Sequence, residues 1–139
     1  DEVDYEPHMS LFLSGELAAF QEESALLVQA AGSLTLKAML ELGYIESRQG
    51  KIQAAQLLEQ AGVPWIKNSS GGGHRPGHAT PEDIQLLRQN LRPETHVKAS
   101  GGIRKLEQVI ALIEAGAELL GTSNAVGILD GFADELSAY

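Results

Sequence analysis

A parallel α/β fold, with its chemistry gathered at one end of the sheet, is what this sequence predicts. Three observations carry that. Strand-like and helix-like segments alternate with a period near thirty residues. Ala31-Gly32, Ala61-Gly62 and Ala115-Gly116 each put a glycine stop after a helical stretch and before an apolar one. Two phrases, Trp65-Ile66-Lys67-Asn68-Ser69-Ser70-Gly71 and His96-Val97-Lys98-Ala99-Ser100-Gly101-Gly102, each end an apolar run in a lysine and then break into small residues. The order βαβαβαβαβα implies right-handed crossovers and a parallel sheet.

The first strand is expected within Asp1–Tyr5. Leu17, Phe20, Leu27, Val28 and Ala31 have helical spacing and follow it. Ser33–Leu40 is mostly apolar, as a strand buried on both faces should be. Ser47–Ala61 reads as a helix whose only internal breaker is Gly50, and Val63–Lys67 as the third strand. Thr80-Pro81-Glu82-Asp83 places a capping threonine before a first-turn proline and two acids that suit the helix dipole. Ile84, Leu87 and Leu91 continue that helix. Thr95–Ala99 and Glu118–Thr122 read as strands. Ile103, Leu106, Val109, Ile110 and Ile113 mark the helix between them, and Val126, Leu129, Phe132 and Leu136 the last one. Five such units fit an open doubly wound sheet or part of an eight-stranded barrel; length alone favours the open sheet, since a barrel takes about 250 residues.

Bulk properties narrow the function. The chain has 139 residues, 43% of them hydrophobic, which suits one globular domain. Its net charge of −9 argues against nucleic acid or an anionic membrane as partner. No apolar run is long enough to span a bilayer, and no signal peptide is visible. Cysteine is absent, which excludes disulfides, thiolate metal sites and cysteine nucleophiles. A cytoplasmic location is the expectation. The chain opens without Met, directly into a strand-like segment, so upstream residues are expected to be missing.

Lys67 is the leading catalytic candidate. A strand-end lysine is more often a solvent-facing bystander, but the pattern recurs 31 positions later at Lys98. Neighbouring parallel strands would hold the two amines together, an arrangement that activates one toward a carbonyl. Lys37, 30 positions before Lys67, is a third lysine inside an apolar run; it either sets the local field, snorkels or pairs with a carboxylate. Asp4 is placed to move a proton at the same mouth, or is a surface acid, as Asp1 and Glu2 are read to be. Gly71-Gly72-Gly73, Gly101-Gly102 and Gly121-Thr122-Ser123 all follow strands and could expose N–H groups to a phosphate, with Arg104 adding charge. His74 and His78 have the i,i+4 spacing of metal ligands, but Pro76-Gly77 prevents a helix, so a mobile loop without metal is expected. His8 and His96 are read as bystanders, and Trp65 as lying off the lysine face against a helix.

Val97-Lys98-Ala99-Ser100-Gly101-Gly102-Ile103-Arg104, Ile113-Glu114-Ala115-Gly116-Ala117 and Gly121-Thr122-Ser123 closely resemble the deoxyribose-phosphate aldolase family. Ile66–Gly71 is similar to that family's Schiff-base strand, Ala79–Asp83 to its next helix start, Leu36–Gly43 to an earlier strand, and Glu2-Val3-Asp4 to the strand carrying the acid. The resemblance implies a TIM (β/α)8 barrel, of which residues 1–139 would be the last five strand-helix units of a single domain, with the N-terminal units absent. It also implies a class I aldolase of nucleoside catabolism, reversibly cleaving 2-deoxyribose 5-phosphate to acetaldehyde and glyceraldehyde 3-phosphate. Lys67 would form the Schiff base, Lys98 would be the neighbour favouring its neutral form, and Asp4 would join the proton relay. Gly71, Gly101, Gly102, Arg104, Gly121 and Ser123 would hold the phosphate, with Lys37 and Ser70 accessory. No metal or cofactor is implied, because the protonated imine is the electron sink; a homo-oligomer is the candidate assembly. Asn68 and Ser70 stand where the family has threonines, and the 72–78 loop is longer. These differences bear on substrate preference more than on reaction type. The alternatives are a Schiff-base aldolase for another sugar phosphate, or a non-catalytic or partner-complemented barrel remnant. The fragment alone is expected to be inactive.

Overall fold

A computed structural model describes residues 1–72 and 78–137; Gly73 and His74, and the side chains of Phe132 and Leu136, lie outside the described residues. Five strands form one parallel sheet: β1 (Glu2–Tyr5), β2 (Thr35–Met39), β3 (Trp65–Lys67), β4 (His96–Ser100) and β5 (Leu119–Gly121). The helices are α1 (Met9–Leu13), α2 (Leu17–Ala31), α3 (Arg48–Gln60), α4 (Pro81–Asn90), α5 (Leu106–Glu114) and α6 (Ala125–Ser137). No helix among the described residues is long and apolar enough to cross a membrane.

Every strand pairs with the next one in sequence, in the order β1-β2-β3-β4-β5. A doubly wound sheet reverses its order at a switch point; this one never does. The sheet is also bent. On a flat sheet β1 and β4 would lie about 14 Å apart, yet Asp4 and Lys98 touch at 2.6 Å. Uniform order and curvature make this five units of a (β/α)8 barrel, and the length argument for an open sheet is overturned.

Local signals set the elements. Thr80 Oγ1 accepts the Asp83 N–H at 3.1 Å and starts α4; Ser47 Oγ does the same for Gly50 at 3.0 Å and starts α3. The core lies between sheet and helices, with Phe20, Leu40, Leu58, Ile66, Ile84, Leu87, Val97 and Leu112 buried. Each such side chain contributes about 1.5–3 kcal/mol. Some expected core positions are corrected. On α5 Leu106 and Val109 pack half-buried against the core as expected and Leu112 is buried, while Ile110 and Ile113 face out; Ile103 is buried but precedes the helix. Leu27 on α2 is exposed, as are Val126 (73%) and Leu129 (65%) on α6, where Ile128 is buried instead. The physical reason is position: α2 and α6 flank the two ends of the arc. Trp65, expected off the lysine face, lies on that face, because it stands two residues before Lys67 on β3. It stacks on His96, ring centroids 4.6 Å apart.

Candidate active site

The strand register sets the predicted polar residues at two heights, with Lys37 beside Trp65 and Lys67 beside Met39. Asp4 is opposite Lys37, and Lys67 is opposite Lys98. Asp4 Oδ2 accepts from Lys98 Nζ at 2.6 Å and from Lys67 Nζ at 3.2 Å. Its other oxygen lies 3.6 Å from Lys37 Nζ. Lys37 is 1% exposed and donates to Glu2 Oε2 at 2.6 Å, so pairing with carboxylates is the reading that holds for it. Glu2, read as a surface acid, is exposed but is Lys37's principal partner. Three lysine side chains thus meet two carboxylates.

Lys67 is 7% exposed; its Nζ also reaches Met39 Sδ at 3.5 Å. Burial pushes the Asp4 carboxyl up, but hydrogen bonds from Lys98 and Lys67, with their charge, outweigh this and hold it below the ordinary carboxylate value. Asp4 therefore stays anionic between its lysines.

Beyond the lysines the strand ends are tied together. Asn68, fully buried, donates to the Ser100 carbonyl at 3.1 Å and accepts the Ser100 N–H at 2.8 Å, extending the β3–β4 pairing through a side chain. Ser100 Oγ donates to the Ser69 carbonyl. Thr122 Oγ1 donates to the Ile103 carbonyl at 2.7 Å, and Asn124 Nδ2 to the Arg104 carbonyl at 2.9 Å, so the loop after β5 is fastened to the loop after β4.

These loops enclose a cleft of about 390 Å³ with Lys67 and Lys98 at its edge. All six residues expected at a phosphate line it (Gly71, Gly101, Gly102, Arg104, Gly121 and Ser123), as does Ser70. Their N–H groups differ in availability. The Gly71 N–H is already given to Ser69 Oγ at 3.0 Å and the Arg104 N–H to Gln108 Oε1 at 2.9 Å. No other described residue takes the N–H of Gly102 or Ser123. At Gly121 a Cβ would come within 3.1 Å of the Ser100 Cβ, so glycine keeps the cleft wall thin beside Lys98.

Thr122, read within the Gly121-Thr122-Ser123 loop, also lines the cleft, and three lining residues were missed from sequence: His78, Ser100 and Ile103. Ser100 and Ile103 flank the Gly101-Gly102 pair and could have been read from it. His78 is a correction, since a mobile bystander was expected. Its imidazole packs on Gly102, where φ is +71° and a Cβ would collide with the ring. Nothing in the local sequence signals that contact.

The cleft and its lysines can be set beside known proteins. No family model matches the chain. It is 39% identical over 138 residues to the deoxyribose-phosphate aldolase of Brevibacillus brevis, covering 99% of this chain and 61% of that protein. With the deoxyribose-phosphate aldolase of Methanocella arvoryzae it shares 36% over 137 residues, covering 99% and 59%. Among solved structures it superposes on one described as QR15, an aldolase, with a TM-score of 0.88 at 31% identity, covering 99% of this chain and 61% of that one. The tetrameric deoxyribose phosphate aldolase of Aeropyrum pernix gives 0.82 at 30%, covering 96% and 56%. The chain thus spans about 60% of the length of the curated relatives it matches. In sequence and in fold, this chain belongs to the deoxyribose-phosphate aldolase family.

Proposed function

We propose that the protein to which this chain contributes is a class I aldolase that reversibly cleaves 2-deoxyribose 5-phosphate to acetaldehyde and glyceraldehyde 3-phosphate. One observation carries the reading: the amines of Lys67 and Lys98 share the Asp4 Oδ2 at the edge of a glycine-lined cleft. In the synthetic direction, neutral Lys67 Nζ adds to the acetaldehyde carbonyl. Loss of water leaves a protonated imine. Asp4, with Lys98 as its hydrogen-bonded partner, takes a proton from the imine's methyl carbon to give the enamine. That carbon attacks the second aldehyde, whose oxygen is protonated. Water then cleaves the product imine and restores the amine. Gly102 and Ser123 N–H groups with the Arg104 side chain hold the phosphate, and the walls formed by Gly71, Gly101 and Gly121 let it approach closely.

Residues 1–139 are proposed to be the C-terminal portion of a single barrel domain whose first three units complete it. A phosphorylated sugar substrate goes with a cytoplasmic location and a place in nucleoside catabolism. A homo-oligomer is the proposed assembly; the Aeropyrum pernix relative is described as a tetramer. The test is to treat the intact protein with acetaldehyde and borohydride and map the reduced adduct by mass. An adduct on Lys67 is expected, and an unmodified Lys67 would end this reading.

The exposed Val126 and Leu129 on α6 favour a second reading. In it, this chain acts only when a separate partner chain supplies the missing units. The mass of the protein purified from its source separates the two: a substantially heavier single chain supports the first, and a 139-residue species the second.

A further inference from the structure

Glu41 has no part in the chemistry proposed above, yet its placement is unusual. It is 2% exposed and follows β2 with φ +44° and ψ +55°, and it is the one non-glycine residue with positive φ among those described. A β-unbranched side chain in that region costs about 1 kcal/mol. The backbone around it leaves the carboxylate no ordinary surface role. Leu40 N–H bonds to the Lys67 carbonyl at 2.8 Å, and Leu42 N–H to the Asn68 carbonyl at 2.9 Å. The left-handed turn between them swings the Glu41 side chain toward the loop that leaves β3. One carboxylate oxygen accepts the Ser70 N–H, and the other accepts the Ser69 hydroxyl at 3.2 Å. Ser69 Oγ in turn accepts the Gly71 N–H. A single buried carboxylate thus organises three consecutive residues, two of which, Ser70 and Gly71, line the cleft next to Lys67.

We infer that Glu41 is a positioning residue for this loop, fixing the cleft wall at Ser70 and Gly71 relative to Lys67 and thereby the fit of the phosphorylated substrate. The inference rests on the aldolase reading of the cleft. Glycine suits the left-handed backbone better than glutamate does, so Glu41→Gly separates the carboxylate from the turn. Glu41→Gln is the conservative partner, because its amide oxygen can still accept the Ser70 N–H.

Two readouts in the intact protein test it. Amide exchange at Ser70, measured by NMR, is expected to quicken at least tenfold in E41G and to stay within about threefold of wild type in E41Q. With 2-deoxyribose 5-phosphate, KM is expected to rise at least tenfold in E41G with a smaller change in kcat, and E41Q should recover most of it. Ser69→Ala, which leaves the turn alone, should move KM the same way by a few-fold and carries the test if E41G folds poorly. E41G with wild-type exchange at Ser70, or with faster exchange but unchanged KM, overturns the inference. A wild-type protein without turnover, or without the Lys67 adduct, defeats the aldolase reading instead, and the exchange data still decide whether Glu41 holds the loop.

Discussion

The two ends of the sheet both bring charged side chains together, and they do so in opposite ways. At the N-terminal end, Glu118 is 2.5 Å from His96 Nδ1 and 3.4 Å from Arg88 Nη1, and its Oε1 also accepts the Val97 N–H. Arg88 donates to the carbonyls of Thr95, Leu91 and Arg92, closing the end of α4. Its donors go to fixed acceptors of the same chain. At the C-terminal end one oxygen of Asp4 serves two lysines at once, and among the described residues Lys67 has only a methionine sulfur besides. The first cluster is saturated and turns to the framework. The second is short of acceptors and faces a cleft. Charge of similar density therefore does different work at each end, as barrel enzymes commonly divide stability from chemistry.

Substitutions can break that division. Lys67→Ala should remove roughly 10⁴-fold or more of aldol turnover while leaving the melting temperature near wild type, as activity and calorimetry would report. Asp4→Asn should lower kcat by about 10²–10³-fold. It also has a pH signature. The Asp4 carboxyl is held below its ordinary value by Lys98 and Lys67 against the opposing effect of burial. The stabilisation this gives is complete above the ordinary carboxylate value and lost as pH falls through the folded one. The melting-temperature gap between wild type and D4N should be constant near neutrality and shrink in acid. Gly102→Ala forces a Cβ into a left-handed position against His78, and should raise KM for the phosphorylated substrate about tenfold with kcat less affected. Arg88→Ala, at the other end, should cost about 1–3 kcal/mol in denaturant unfolding and leave kcat unchanged. If R88A lost turnover at constant stability, the contrast between the ends would fail.

What the sequence revealed follows the range of its signals. Strand limits came within about two residues, as with Ser33–Leu40 for Thr35–Met39, because apolar runs and Ala-Gly stops are local. The pairing of Asp4 with Lys37 and of Lys67 with Lys98 was legible because a regular repeat places equal strand heights side by side, whereas the two-residue offset between β2 and β3 was not. Shorter elements were not. Met9–Leu13 and the 3-10 turn at Leu42–Tyr44 are too brief to display a period. Glu41 and His78 escaped for another reason. Their partners, Ser69 with Ser70 and Gly102, lie 24 to 29 residues away, and no local pattern records such pairing.

Asp4 has a consequence in time as well as in space. Each strand docks on a neighbour about thirty residues along the chain, so the sheet can grow by small loop closures. The contacts of Asp4 with Lys67 and Lys98 span 63 and 94 residues. Such contacts carry the largest closure entropy and are made late. A partly folded chain can therefore have most of its sheet and none of its ion cluster. Reactive amines are then gathered only once the surrounding units have already been checked by folding together.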